Sequence, residues 1–302
     1  MELKFDADHE SLLIWLYLEI SDLVRQSELH LYPLRLSNNK NPFFTDAELY
    51  TCGIFAELMG CKDKKHGYQY LKRHFRSWFP QLPTYEVYNR KLNKYYDPLI
   101  YIFTSLSHKY GKVNPSFAII DTAPIEVCQP QHAHHSKAAQ PFVSKGYCAA
   151  KKKYYIGAKL QIVAQARTQK LPFPFEFSLA SASFHDVTIA KATLPYSEFY
   201  QIDLYSDKAY IDHEFQRERF ETKGIKLITP IKNKQGQPRL TLFQQAANSI
   251  HSSMRQPIDA LFAWINEKTG IQNASKVRSE NGLFYHICVK MIAALILLFV
   301  QF

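Results

Sequence analysis

Phe117-Ala-Ile-Ile-Asp121 is a short apolar run that closes on a carboxylate. Such a run, preceded by Asn114-Pro-Ser, suits a buried strand. Further along, Ile202-Asp-Leu-Tyr-Ser-Asp207 repeats the pattern, so two strands are expected to end on acids. Tyr154–Ala164, Phe173–Ser183 and Ile225–Ile231 read as three more strands. Helical patterns fill His185–Thr193 and Ile211–Lys223, the second stopping at Gly224. A polar loop holding Gly236 and Pro238 then leads to a helical region over 240–268. The order βββαβαβα predicts an antiparallel trio of strands extended by parallel ones, with helices on the faces.

An α/β arrangement of that order, a mixed five-stranded sheet flanked by helices, is ribonuclease H-like. It sets residues 113–302, including an apolar C-terminal helix, apart from an all-helical region over residues 1–112. In the helical region Leu12, Leu13, Trp15, Leu16, Ile20, Leu23 and Val24 recur at helical spacing. Thr45-Asp-Ala-Glu48 is a capping box, and the apolar segment that it opens ends at Gly60. From Lys62 to Lys94 nine Lys or Arg face only Asp63 and Glu86, interleaved with Tyr68, Tyr70, Phe75, Trp78 and Phe79. That pattern fits helices with aromatics inward and cations outward, or a helical DNA-binding module.

The formal net charge is +10, with 46% hydrophobic and 21% charged residues, as in a globular protein with an anionic partner. The distribution is more telling than the total. Residues 127–175 contain no Asp or Glu, while Lys137, Lys145, Lys151, Lys152, Lys153, Lys159, Arg167 and Lys170 supply eight positive charges. Five scattered cysteines without CxxC spacing argue against a disulfide framework or a structural zinc site, and fit a reducing cytoplasm. His132, His134 and His135 lack the further ligands that zinc needs and read as DNA-facing or solvated. The acidic start, Met1 to Glu10, is unlike a signal peptide. Met291–Val300 is too short an apolar run to span a bilayer, so no membrane partner is expected. It reads as a buried helix or a self-association surface.

A third acid, Asp259, follows in Arg255-Gln-Pro-Ile-Asp259, where a spacing of four puts Arg255 and Asp259 on one helical face. Neighbouring carboxylates repel, which raises their pKa values unless a cation neutralises them. Magnesium prefers such hard oxygens, and two ions about 4 Å apart can serve both the attacking and the leaving oxygen of a phosphodiester. Asp203 shares a strand face with Asp207, which is preferred because it ends the run.

Ile119-Ile-Asp121, Tyr155-Ile-Gly-Ala-Lys-Leu160, Ala182-Ser-Phe-His-Asp186, Ser206-Asp-Lys-Ala-Tyr210 and Arg255 to Phe262 resemble, in order, the motifs of bacterial insertion-sequence transposases of the Asp-Asp-Glu class. The IS-nine-eight-two-like group is the most similar, and Phe43–Leu49 and Arg73-His-Phe-Arg76 resemble its helical N-terminal region. The resemblance implies catalytic, metal-binding acids at Asp121, Asp207 and Asp259, the last standing where glutamate is usual, with Arg255 in support. It implies magnesium, or manganese, as two ions in that family's manner of cutting, and double-stranded DNA as partner. Strand cleavage would free a 3′-hydroxyl that then attacks a target strand, with no covalent protein–DNA intermediate. Lys145, Lys151, Lys152, Lys153, Lys159, Arg73 and Arg76 are the expected DNA contacts. A homo-oligomer on paired DNA ends, in the bacterial cytoplasm at the nucleoid, is also implied. An extended signature of related transposases is absent, since Ser252 and Asn266 occupy its tyrosine and lysine positions. His185-Asp186 reads as a supporting helix start, and Glu267 as a poorly oriented substitute acid. A weak or inactive DNA-binding regulator and a ribonuclease H-like nuclease are the alternative readings.

Overall fold

Residues 3–4, 9–31, 43–112, 115–132, 137–149, 151–233 and 239–301 are described by the structure, a computed structural model. Gly236, Pro238, His134 and His135 lie outside them, as does the side chain of His132. The chain forms two units: residues 1–110, 136–141 and 265–302, and residues 111–135 and 142–264. The first unit begins with β1 (Leu3–Lys4), α1 (His9–Leu31), α2 (Asp46–Leu58), α3 (Lys64–His74), α4 (Tyr85–Lys94) and α5 (Asp97–Tyr110). The Thr45 capping box forms: Glu48 N donates to Thr45 Oγ1 at 3.2 Å, and Thr45 N to Glu48 Oε2 at 2.6 Å. Leu12, Leu16 and Ile20 are fully buried, as their helical spacing predicts.

The second unit runs β2 (Ala118–Cys128), β3 (Ser144–Cys148), β4 (Lys153–Gln165), β5 (Phe173–Ser181), α6 (Asp186–Thr193), β6 (Asp203–Tyr205), α7 (His213–Lys223), β7 (Lys226–Ile228), α8 (Leu242–Arg255) and the start of α9 (Pro257–Thr269). β4 organises the sheet. One edge pairs antiparallel with β2, while the other takes β3 along 153–157 and β5 along 158–165. β6 then joins β2 in parallel, and β7 joins β6 in parallel. The sheet therefore has six strands rather than the expected five. β3, Ser-Lys-Gly-Tyr-Cys, has no apolar run to betray it, because only Gly146 of its five residues is buried. Gly157 in β4 is needed where the β2 ladder shifts register between Glu126 and Cys128: a Cβ there would lie 1.8 Å from the Ile125 carbonyl oxygen. Ile120 and Val163 pack with Ala190 and Leu194 of the α6 segment and Phe215 of α7, so one sheet face is sealed by these helices.

The chain returns to the first unit through α10 (Glu280–Phe299) and β8 (Val300–Gln301), which pairs in parallel with β1. α10 packs on α2, α4 and α5, so it belongs with the N-terminal helices and not with the strands. Its apolar end is part of a 20-residue helix that is long and apolar enough to cross a membrane, yet 78% of its apolar window is buried. Within it Lys290 Nζ donates to Glu57 Oε2 and to the Thr269 carbonyl, each at 2.6 Å. All five cysteines are free.

Candidate active site

Alternation along β2 sends Asp121 and Thr122 to opposite faces of the sheet. Asp121 shares its face with Ile119, which lies opposite Tyr205 in the parallel β2–β6 register. Continuing that register brings Asp207 level with Asp121, whereas Asp203 lies at the other end of β6. Asp207 caps a 3-10 turn, its Oδ1 accepting from Ala209 N at 2.7 Å. The family-like Ser206-Asp-Lys-Ala-Tyr210 stretch is thus a turn that pins one carboxylate oxygen.

Arg255 is the last residue of α8, and Asp259 lies in the first turn of α9. The expected single helix is broken because Pro257 has no N–H to continue the ladder. Gln256 keeps right-handed helical angles (φ −49°, ψ −34°), so the four-residue relation survives the break. Arg255 Nη2 donates to Asp259 Oδ2 at 2.7 Å, and Nη1 to Asp121 Oδ2 at 2.5 Å. The other Asp121 oxygen accepts from Thr122 N at 2.8 Å. One guanidinium therefore ties two of the three predicted acids together.

Burial pushes the Asp121 carboxyl up to about 7, and the charges of Asp207 and Asp259 add to this against Arg255 and the Thr122 N–H. Burial also raises Asp207, helped by Asp186 and Asp259. Three acids with one arginine leave the cluster short of positive charge, and its donors are the hard oxygens that a divalent cation takes. In charge and donor chemistry the three acids are of the kind that such an ion takes. Arg255 meanwhile occupies oxygens that an ion would use, and among the described residues no group of three or more His, Cys, Asp or Glu is already gathered for a metal.

On the Thr122 face, Asp186 opens α6 and accepts from Thr122 Oγ1 at 2.9 Å and from Lys159 Nζ at 2.8 Å. Lys159 also donates to the Phe184 carbonyl at 2.8 Å, and both members of the ion pair are only 17% exposed. Beside them Gln161 Oε1 accepts from Thr193 Oγ1 at 2.8 Å, and its amide reaches the fully buried Tyr210 hydroxyl at 3.4 Å. Lys159, expected at DNA, is therefore engaged in an internal pair. The signals were the family-like His185-Asp186 and Lys159 motifs, but nothing local shows that residues 27 apart meet.

The remaining predicted DNA contacts fall on two elements. Lys145, Lys151, Lys152 and Lys153 are exposed on the β3–β4 hairpin. Lys145 lies 4.4 Å from the Tyr154 ring centroid, and Lys153 pairs with Glu126 at 2.8 Å. Arg73 and Arg76 are exposed on and just after α3, where Arg76 Nη1 donates to the Leu82 carbonyl at 3.0 Å. Glu267 pairs with Lys268 at 3.1 Å.

Residues 111–277, more than half of the chain, match the family model described as Transposase DDE domain. DDE transposase domains use divalent metal ions. Among solved structures, a piggyBac transposase in a synaptic complex with hairpin DNA is similar, with a TM-score of 0.50 and 11% identity over 96% of this chain and 74% of that one. At that identity the likeness is one of fold, a ribonuclease H-like catalytic fold with a curled mixed sheet. No curated protein matches the chain.

Proposed function

The chain belongs to the Transposase DDE domain family, and on that premise we propose that it is the DNA transposase of an insertion sequence, akin to the IS-nine-eight-two-like group. It would bind the terminal inverted repeats, cut a strand, and join the freed 3′-hydroxyl to target DNA. The observation that carries this reading is the meeting of acids from β2, the turn after β6 and α9 around Arg255. Asp121, Asp207 and Asp259 would hold magnesium or manganese, and two ions suit a strand cut followed by joining. A cation bound there supplies Lewis-acid polarisation of the phosphodiester. The residues do the rest. Ala209 N fixes one oxygen of Asp207 and Thr122 N one of Asp121, whose other oxygen accepts from Arg255 and would face the reaction once that arginine lets go. Arg255 would release its carboxylates and turn to a phosphate oxygen, where its planar fork suits bidentate contact. The lysines of the β3–β4 hairpin would hold backbone phosphates, with affinity falling steeply as salt rises.

The test is cleavage and joining of element-end DNA with magnesium, comparing wild type with Asp121→Asn and Asp207→Asn. Loss of nicks in both variants supports the assignment; undiminished cleavage in either removes it. A second reading, a transposase-derived DNA-binding regulator, draws on Arg255 tying up two carboxylates and on aspartate at position 259. It expects end-specific binding without nicks, and a gain of cleavage in Asp259→Glu. A nuclease would cut but never join.

A further inference from the structure

The helical unit holds a cavity of about 390 Å³ where α3, α4 and the start of α10 come together. Lys62, Lys64, Lys65, Lys276, Arg278 and Lys290 line it, brought together from segments some two hundred residues apart. Its two acids are already matched. Glu57 takes Lys290 at 2.6 Å, and Asp63 takes Lys276 at 2.9 Å while capping α3 through the His66 N–H. Lys62, Lys64 and Arg278 have no carboxylate partner among the described residues.

Lys64 is the unusual member. Its ammonium donates to Asn93 Oδ1 at 2.5 Å and lies 4.9 Å from the Tyr285 ring centroid. Burial pushes it down to about 8. A desolvated ammonium normally has a carboxylate beside it, and here two of its three donors remain for an anion. The positive end of α10, capped by Ser279 Oγ accepting from Gly282 N at 3.1 Å, points the same field at the cavity. A second opening, about 530 Å³, shares Asn89, Asn93 and Ser279 with the first and adds Arg90 and Lys94, with Glu280 as its acid. A free anion needs one such site; two joined basic hollows suit successive phosphates of a strand.

We propose that this cavity is a backbone-phosphate site for DNA, in which Lys62, Lys64 and Arg278 take one phosphodiester at the start of α10. The inference rests on the transposase reading but concerns the helical unit, not the acids. The test binds the full chain to a short duplex across a salt series, with wild type, Lys64→Gln, and Lys62→Gln combined with Arg278→Gln. Lys62 and Arg278 are exposed, so that double variant should fold. Both altered proteins are expected to bind about tenfold more weakly, with a log K against log salt slope shallower by about one for each phosphate lost. Unchanged affinity and slope in the double variant, at an unchanged unfolding temperature, would overturn the proposal. Inorganic phosphate is the second ligand: if it alone responds to the substitutions and the duplex does not, the cavity holds a free anion and the proposal is overturned as well. Cleavage by Asp121→Asn tests the transposase reading separately, because that variant leaves this cavity intact.

Discussion

Asp121 and Thr122 are adjacent, yet the two sides of the sheet that they face are built on opposite electrostatic terms. Behind Thr122, Asp186 meets Lys159 at 2.8 Å, so one half-buried acid has one base, and it also accepts from the hydroxyl of Thr122. In front of Asp121, Arg255 is the one base paired with any of the three acids among the described residues, and burial lifts the Asp121 carboxyl to about 7. A balanced pair holds elements in place. An unbalanced cluster costs stability, and such clusters gather where a fold has chemistry to perform.

Substitution should therefore act with opposite sign on the two sides. Asp121→Asn and Asp207→Asn are expected to lower strand cleavage by at least about 10²–10³-fold, a loss of the size seen when one charge-stabilising group is removed. In the metal-free protein the same changes should hold or raise the unfolding temperature, since a buried repulsion disappears. On the balanced side, Asp186→Asn strands Lys159 without a counter-charge and should cost about 3 kcal/mol in urea unfolding. Adding Lys159→Met to Asp186→Leu should recover most of that loss, which a double-mutant cycle would show.

The pH dependence gives a smaller contrast. Asp121 has its folded pKa raised from 3.8 to about 7, so between these values the native state holds a proton that the unfolded chain has lost. Stability of the metal-free protein should fall as pH rises from about 5 to 7, by about 2 kcal/mol from this group. Asp121→Asn should flatten that slope, whereas Asp186→Asn should leave it. The smallest effect is expected at Asp259, whose side chain is 54% exposed. Asp259→Glu should change cleavage by less than about tenfold, an amount worth 1.4 kcal/mol or less; a large gain would favour the regulator.

The acid side was the more legible of the two in the sequence. Apolar runs ending on Asp121 and Asp207 mark two buried strands, and the Arg255–Asp259 spacing marks one face. The expectation that both acids end strands holds only for Asp207, which follows β6, because β2 runs on past Asp121 to Cys128. The break at Pro257 was less visible, because Gln256 preserves the spacing across it. β3 escaped because a polar, glycine-containing segment on a sheet edge leaves little apolar pattern. The Lys159–Asp186 pair and the packing of α10 on the N-terminal helices are long-range facts of the fold. A lysine in a basic stretch looks the same whether it faces DNA or an internal carboxylate. For the same reason the cavity around Lys64 draws on Lys276 and Arg278, which no local reading of residues 62–94 would join to it.

The imbalance around Asp121 is tested most directly by the unfolding temperature with and without magnesium or manganese, in wild type, Asp121→Asn and Asp186→Asn. The cation should raise the temperature of wild type and of Asp186→Asn, and leave Asp121→Asn nearly unmoved. An equal rise in Asp121→Asn would place the cation elsewhere and contradict the assignment of the acid cluster.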